Sequence, residues 1–190
     1  MLEYKKNFIA KIPYKSGRIT LRHVSEADTM KLMFVRDKED REAEYTPLPL
    51  EKKEENANRR FDFLANTEKY SAIIFSEDRM QIGIYLDFDL IGEIHVFGYN
   101  ERNKSLEFGY YMLPEYRSMG YGYEGLSAVL QLLLESEDIH KLYARTGEFN
   151  KASVALLEKC GLKLEGKLVD CHELNGTYYD ELSYYILENK

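Results

Sequence analysis

The apolar positions of this chain change period several times, and each change marks an element. Residues 18–24 alternate as a half-buried strand does, and Ser25 with Asp28 then forms an S-x-x-D start for a helix running toward Arg36, with Ala27, Met30 and Phe34 on one face. A charged stretch broken by Pro47 and Pro49 follows, and a weaker helix is expected over 51–66, carried by Ala57, Phe61, Leu64 and Ala65. From Tyr70 the period is two, so 70–76, 82–89, 90–99 and 105–112 read as consecutive strands of an antiparallel meander. Leu126, Val129, Leu130, Leu133 and Leu134 then recur at helical spacing, which marks an amphipathic helix. A strand over 140–148, a short helix over 150–161 stopped by Gly161, and two strand-like runs around Asn175-Gly176 complete the chain. This order predicts a mixed α/β or α+β sheet with a parallel crossover around the central helix.

Composition narrows the picture. A chain of 190 residues with no Pro/Gly/Ser-rich linker is expected to form one domain over 1–190. Its 26 basic and 33 acidic side chains give a net charge of -7, which argues against nucleic acid as a partner and suits a cationic one. Cys160 and Cys171 provide neither a disulfide framework nor a zinc set, so a reducing cytoplasm is expected and no metal is implied. No apolar run approaches the roughly 20 residues that span a bilayer, and no membrane association is expected. The 16 tyrosines, with no tryptophan, fit strand surfaces or a cleft lined by amphipathic rings.

The candidate chemistry lies between the strand at 105–112 and the central helix. Gly120 and Gly122 remove side chains where backbone N–H groups face outward at the positive end of a helix dipole, which is anion-binding geometry. Gly120, Gly122 and Gly125 match the dinucleotide pattern G-x-G-x-x-G, but a seven-residue spacer follows the strand and too little chain remains for a doubly wound unit. A P-loop is excluded because no G-K-[ST] is present. The alternative frame is Arg117-x-x-Gly120-x-Gly122. It resembles the pyrophosphate loop of the GNAT superfamily of N-acetyltransferases, whose pattern is Q/R-x-x-G-x-G/A. Phe108-Gly-Tyr-Tyr-Met112, Asn150-Lys-Ala-Ser153, Glu158-Lys-Cys-Gly161-Leu162 and Asn175-Gly-Thr-Tyr-Tyr-Asp180 follow the order of motifs in the branch that contains the ribosomal-protein alanine acetyltransferases.

The resemblance implies a mixed central sheet of about seven strands, mostly antiparallel and splayed at the coenzyme A site, with about four helices. It implies acetyl-coenzyme A as cosubstrate, held by Tyr111, Met112, Arg117, Ser118, Met119, Gly120, Tyr121, Gly122 and Asn150. The acetyl acceptor is expected to be a primary amine: a protein N-terminus, a polyamine or a small amino compound. A monomer or homodimer is expected. The family's helix tyrosine is replaced by Leu157, so Ser153 becomes the candidate to support the departing thiolate, unless it only caps its helix. Glu107, a carboxylate between Leu106 and Phe108 in a central strand, is the first candidate for the base, with a buried arginine pair as the other reading. His172 stands where the ribosomal-protein branch has a glutamate, and an imidazole there can also take a proton. Glu93 and His95 are weaker candidates. These replacements leave open a non-catalytic acyl-coenzyme A-binding module of the same fold.

Overall fold

The structure, a computed structural model, describes residues 1–42 and 79–188. The expected helix over 51–66 and the expected strand over 70–76 lie outside them. The strands are β1 (Tyr14–Ser16), β2 (Ile19–His23), β3 (Met80–Leu86), β4 (Asp89–Asn100), β5 (Ser105–Met112), β6 (Lys141–Gly147), β7 (Lys163–Leu174) and β8 (Thr177–Leu187). The helices are α1 (Glu3–Ile9), α2 (Glu26–Glu42), α3 (Tyr121–Leu134) and α4 (Lys151–Lys159). Among the described residues the eight strands form one sheet in the order β1-β2-β3-β4-β5-β6-β8-β7. All neighbours are antiparallel except β5 and β6, the pair joined by the α3 crossover.

The two faces of the sheet are covered differently. On one, Leu126, Val129 and Leu133 of α3 pack with Ile82, Ile84, Ile94 and Leu142 in the main core, which also takes Tyr4 and Phe8 of α1 and Leu157 of α4. On the other, Leu32 of α2 is buried with Tyr85, Leu90 and Leu113. The sequence pattern missed α1, whose Tyr4 and Phe8 are buried within a charged segment, and the short strand β1. The apolar face expected of α2 is also corrected. Met30 and Phe34 point outward, with Phe34 75% exposed, while Thr29 and Leu32 are buried. What seats this helix is Leu32 with Val35 beside it, together with the charged Arg36 and Glu39, and hydrophobicity counted along the sequence is blind to the charged part.

Local signals set the remaining turns. Asn175 and Gly176 both have positive φ, at 52° and 81°, as an Asn-Gly turn between strands requires. Ser25 caps α2 by accepting from the N–H of Asp28 at 3.1 Å. The feature that makes a site is the parallel pair. It extends only from Ser105 opposite Lys141 to Glu107 opposite Tyr143, while β5 continues to Met112 beside β4 and β6 continues to Gly147 beside β8. Beyond Glu107 the two strands part.

Candidate active site

A cleft of about 840 Å³ occupies the splay and passes between the faces of the sheet. On the α3 side it is lined by Met112, Ser118, Gly120, Gly122, Asn150 and Ser153, and on the α2 side by Arg36, Glu39, His95, Tyr111 and Arg145.

The loop before α3 is built to receive an anion. Ser118 and Gly120 are left-handed, with φ of 60° and 86°, and no side chain caps α3. Among the described residues the first hydrogen bond returning to this loop is from the N–H of Glu124 to the Gly120 carbonyl, so the N–H groups from Ser118 to Tyr123 have no partner. Uncapped donors in a concave turn at a helix N-terminus suit a pyrophosphate without requiring lysines. A methyl group on Gly122 would reach Leu156 and Met112 at 3.5 Å, which shows how closely the backbone there faces the cleft. The residues present therefore fit coenzyme A. The side chains of Met119 and Tyr121 do not line the cleft. The Met119 carbonyl accepts from Arg18 Nη2 at 2.8 Å, and the Tyr121 ring lies beneath the Arg18 guanidinium at 4.3 Å. Lys159, which sequence reasoning passed over, lines the cleft with its ammonium 4.6 Å from the centre of the Tyr123 ring.

Arg117 does something other than the expected donation to the anion. Its Nε donates to the Met112 carbonyl at 2.9 Å, and Nη1 and Nη2 grip Glu39 of α2 at 2.7 and 2.8 Å. The Tyr111 hydroxyl donates to the same carboxylate. Partial burial opposes charge on Glu39, but Arg117 and Tyr111 outweigh it and hold its carboxyl below the usual range. One turn earlier, Arg36 bonds the buried Glu93 at 2.9 Å. A clasp of two arginines and two carboxylates thus ties α2 to the strands beside the loop. The sequence showed only an acidic run around Glu39, because its partner lies 78 positions away.

The proposed proton carriers separate into two groups. Ser153 lines the cleft, and its N–H donates to Asn150 Oδ1 at 3.1 Å, so Asn150 caps α4 while facing the same space. Glu107 and His172 do not line the cleft. Both oxygens of Glu107 are taken by Arg145, at 3.1 and 3.3 Å, and Arg145 reaches on to Glu181 at 3.4 Å. His172 stands at the far end of this chain, with Nε2 3.5 Å from Glu181, edge-on to the Phe149 ring. His95 does line the cleft. Its ring crosses to β5, where a methyl group on Gly109 would lie 2.7 Å from Nε2. Burial pushes its pKa down against the opposing pull of Glu93, with Arg36 and Arg79 adding to the lowering, so the imidazole is neutral near pH 7.

The model of the GNAT acetyltransferase domain matches residues 18–163. Among curated proteins, a spermidine N(1)-acetyltransferase of Vibrio cholerae is 31% identical over 102 residues, which cover 54% of this chain and 59% of that relative. A putative ribosomal N-acetyltransferase of Bacillus subtilis is 23% identical over 111 residues, 58% of this chain and 61% of its own length. The match thus spans about 60% of these curated relatives. Among solved structures, spermidine N-acetyltransferase from Vibrio cholerae in complex with CoA and spermine superposes with a TM-score of 0.74 at 24% identity, covering 90% of this chain and 96% of the other. A ribosomal alpha-N-protein acetyltransferase in complex with coenzyme A gives 0.68 at 16% identity, over 92% and 97%.

Proposed function

Because this chain belongs to the GNAT acetyltransferase family, we propose that it transfers an acetyl group from acetyl-coenzyme A to a primary amine by direct attack. The observation that carries the reading is the uncapped turn from Ser118 to Tyr123, placed at the mouth of a cleft that runs through the splayed sheet. Acetyl-coenzyme A supplies, when bound, an acetyl group activated as a thioester. The chain's own residues do the rest. The loop N–H groups and Asn150 hold the cosubstrate, and the backbone of Tyr111 and Met112 provides the exposed strand edge along which its arm lies. The neutral imidazole of His95 accepts the proton that the amine loses. Glu107 orients Arg145 on the acceptor side, and it has to leave that pair before it can act as a base itself. His172 stands beside Glu181 at the far end of that chain, and Ser153 faces the sulfur end of the cleft.

The acceptor we propose is a polyamine or another small amine, in keeping with the spermidine enzymes among the relatives. The described carboxylates on the acceptor side, Glu39, Glu93 and Glu107, are each paired with an arginine. A cationic acceptor that uses them has to displace an arginine, so its binding weakens steeply with salt. A protein N-terminus carries one charge and makes a smaller demand. The test is release of free thiol against spermidine, small amines and basic peptides at two ionic strengths, with Ser153→Ala and Glu107→Gln alongside. Turnover that favours spermidine and falls with salt supports the reading. Coenzyme A binding without turnover on any amine would instead establish the non-catalytic module.

A further inference from the structure

Tyr110 is a half-buried phenol in this cleft to which the scheme above gives no task. It follows Gly109 on β5, three residues past the last pair with β6, and its side chain lies on the α3 face with those of Leu106 and Phe108. Its Oη stands 2.7 Å from Ser153 Oγ and 3.3 Å from the Ser153 carbonyl oxygen. Ser153 is itself fixed at the first turn of α4 by Asn150. Leu157, at the helix position where it replaces the family's tyrosine, is wholly buried in the main core, so α4 offers the cleft no phenol. The phenol reaches this point from the opposite wall.

We infer that Tyr110 and Ser153 form a two-hydroxyl relay that stabilises the departing thiolate, with Ser153 Oγ donating to the sulfur and Tyr110 Oη donating to Ser153 Oγ. The inference rests on the proposed acyl transfer. In that reaction the amine nitrogen bonds to the acetyl carbon and the carbon–sulfur bond breaks with its electron pair going to sulfur. The amine's proton leaves to the base on the other side of the sheet, and solvent returns one to the thiol. Tyr110 remains protonated throughout, because burial pushes it up to about 12 despite the Ser153 hydrogen bond, with Cys160 adding to the rise. A phenol held there is a weaker acid than a thiol, whose ordinary value is about 8.5, so the proton stays on oxygen and the relay works through hydrogen bonds. Tyr110 is then a positioning residue acting through Ser153, and the two hydroxyls polarise each other.

Two readouts on the full chain test this, and one of them needs no acceptor. The first is the pH at which the bound coenzyme A thiol ionises, followed by thiolate absorbance. In Tyr110→Phe, Ser153→Ala and the double variant the thiol should ionise at higher pH than in the parent, each by the equivalent of about tenfold. The second is single-turnover thiol release. Each single variant should lose about 10- to 100-fold in kcat with coenzyme A affinity unchanged, and the double variant should lose little more than the worse single, because the pair acts as one unit. Ser153→Thr, which keeps a hydroxyl, should recover most of the rate. An unchanged thiol titration in Tyr110→Phe, or losses that multiply in the double variant, would overturn the relay. A shifted titration in a protein that acetylates no amine would uphold the relay and reject the acyl-transfer reading.

Discussion

Two glycines in α3, three residues apart, should respond to alanine in opposite ways. A methyl group on Gly125 would lie 2.6 Å from Ile84 Cδ1 and 3.0 Å from its Cγ1, and Ile84 is fully buried on β3. Overpacking of this kind costs about 1–3 kcal/mol. Replacing a helical glycine returns about 1 kcal/mol, so Gly125→Ala should be neutral to about 2 kcal/mol less stable. On Gly122 the same methyl meets Leu156 and Met112 at 3.5 Å, which is ordinary contact. Gly122→Ala should therefore gain about 1 kcal/mol. At about 2–4 °C per kcal/mol for a chain of this size, the two variants should melt roughly 2–12 °C apart, with Gly125→Ala the lower. Coenzyme A should reverse the ranking of their usefulness. It should raise the melting temperature of Gly125→Ala as it does the parent, and raise Gly122→Ala much less, because the methyl occupies the space where backbone has to approach the phosphates. The assay is thermal melting with and without saturating coenzyme A. If Gly125→Ala melted at or above Gly122→Ala, the close seat of α3 on β3 would be refuted. Equal ligand-dependent rises would remove Gly122 from the anion cradle.

Two other expectations concern charge. The Glu39–Arg117 clasp should show a coupling of about 0.5–1 kcal/mol in a double-mutant cycle of Glu39→Gln with Arg117→Lys, as half-exposed pairs do. Because the folded Glu39 carboxyl is held below its unfolded value of 4.5, the stability it contributes is present above that pH and lost below it, so Glu39→Gln should flatten the acid limb of a melting-temperature profile. His95 has the opposite chemistry but the same direction. Its folded pKa is lowered from 6.5, so the unfolded chain takes up the proton first and stability falls as pH drops below about 6.5. Comparing kcat, His95→Gln should cost about 100-fold or more if the imidazole takes the amine's proton, whereas Glu107→Gln should cost less than tenfold and show mainly as lost stability. The reverse ranking in a pH–rate series would return the base to Glu107.

How much of this was legible beforehand follows from where each determinant resides. The stripe from Leu126 to Leu134, the Asn150 cap and the Asn175-Gly176 turn are set by residues within about one or two turns of each other, and pattern reading finds such features. The motif at Arg117, Gly120 and Gly122 marked the turn that leads into α3, but it could not show that the Arg117 side chain turns back to Glu39. The burial of Leu32 in place of Met30 and Phe34 depends on which side of α2 meets Tyr85 and Leu90, a tertiary fact. Glu107 was read as either base or ion-pair partner, and only the placement of Arg145 on the neighbouring strand puts both its oxygens in a pair. Tyr110 in the sequence is one alternating residue in a strand. Its meaning depends on β5 parting from β6 after Glu107, so that its hydroxyl meets Ser153 of α4 across the splay.

The short parallel pairing of β5 with β6 has a consequence for solvent and for other chains. A sheet ordinarily has two edges, but among the described residues this one has four: β1 and β7 outside, and within the fold the stretches of β5 after Glu107 and of β6 after Tyr143. Those inner edges carry main-chain donors and acceptors with no neighbouring strand. A ligand arm lying between them behaves as an inserted strand, and its arrival should slow amide hydrogen exchange along the splay from Gly109 to Met112 as well as at the loop. Main-chain edges of this kind pair with any extended chain that reaches them, and here they face the cleft and not the rim of the sheet.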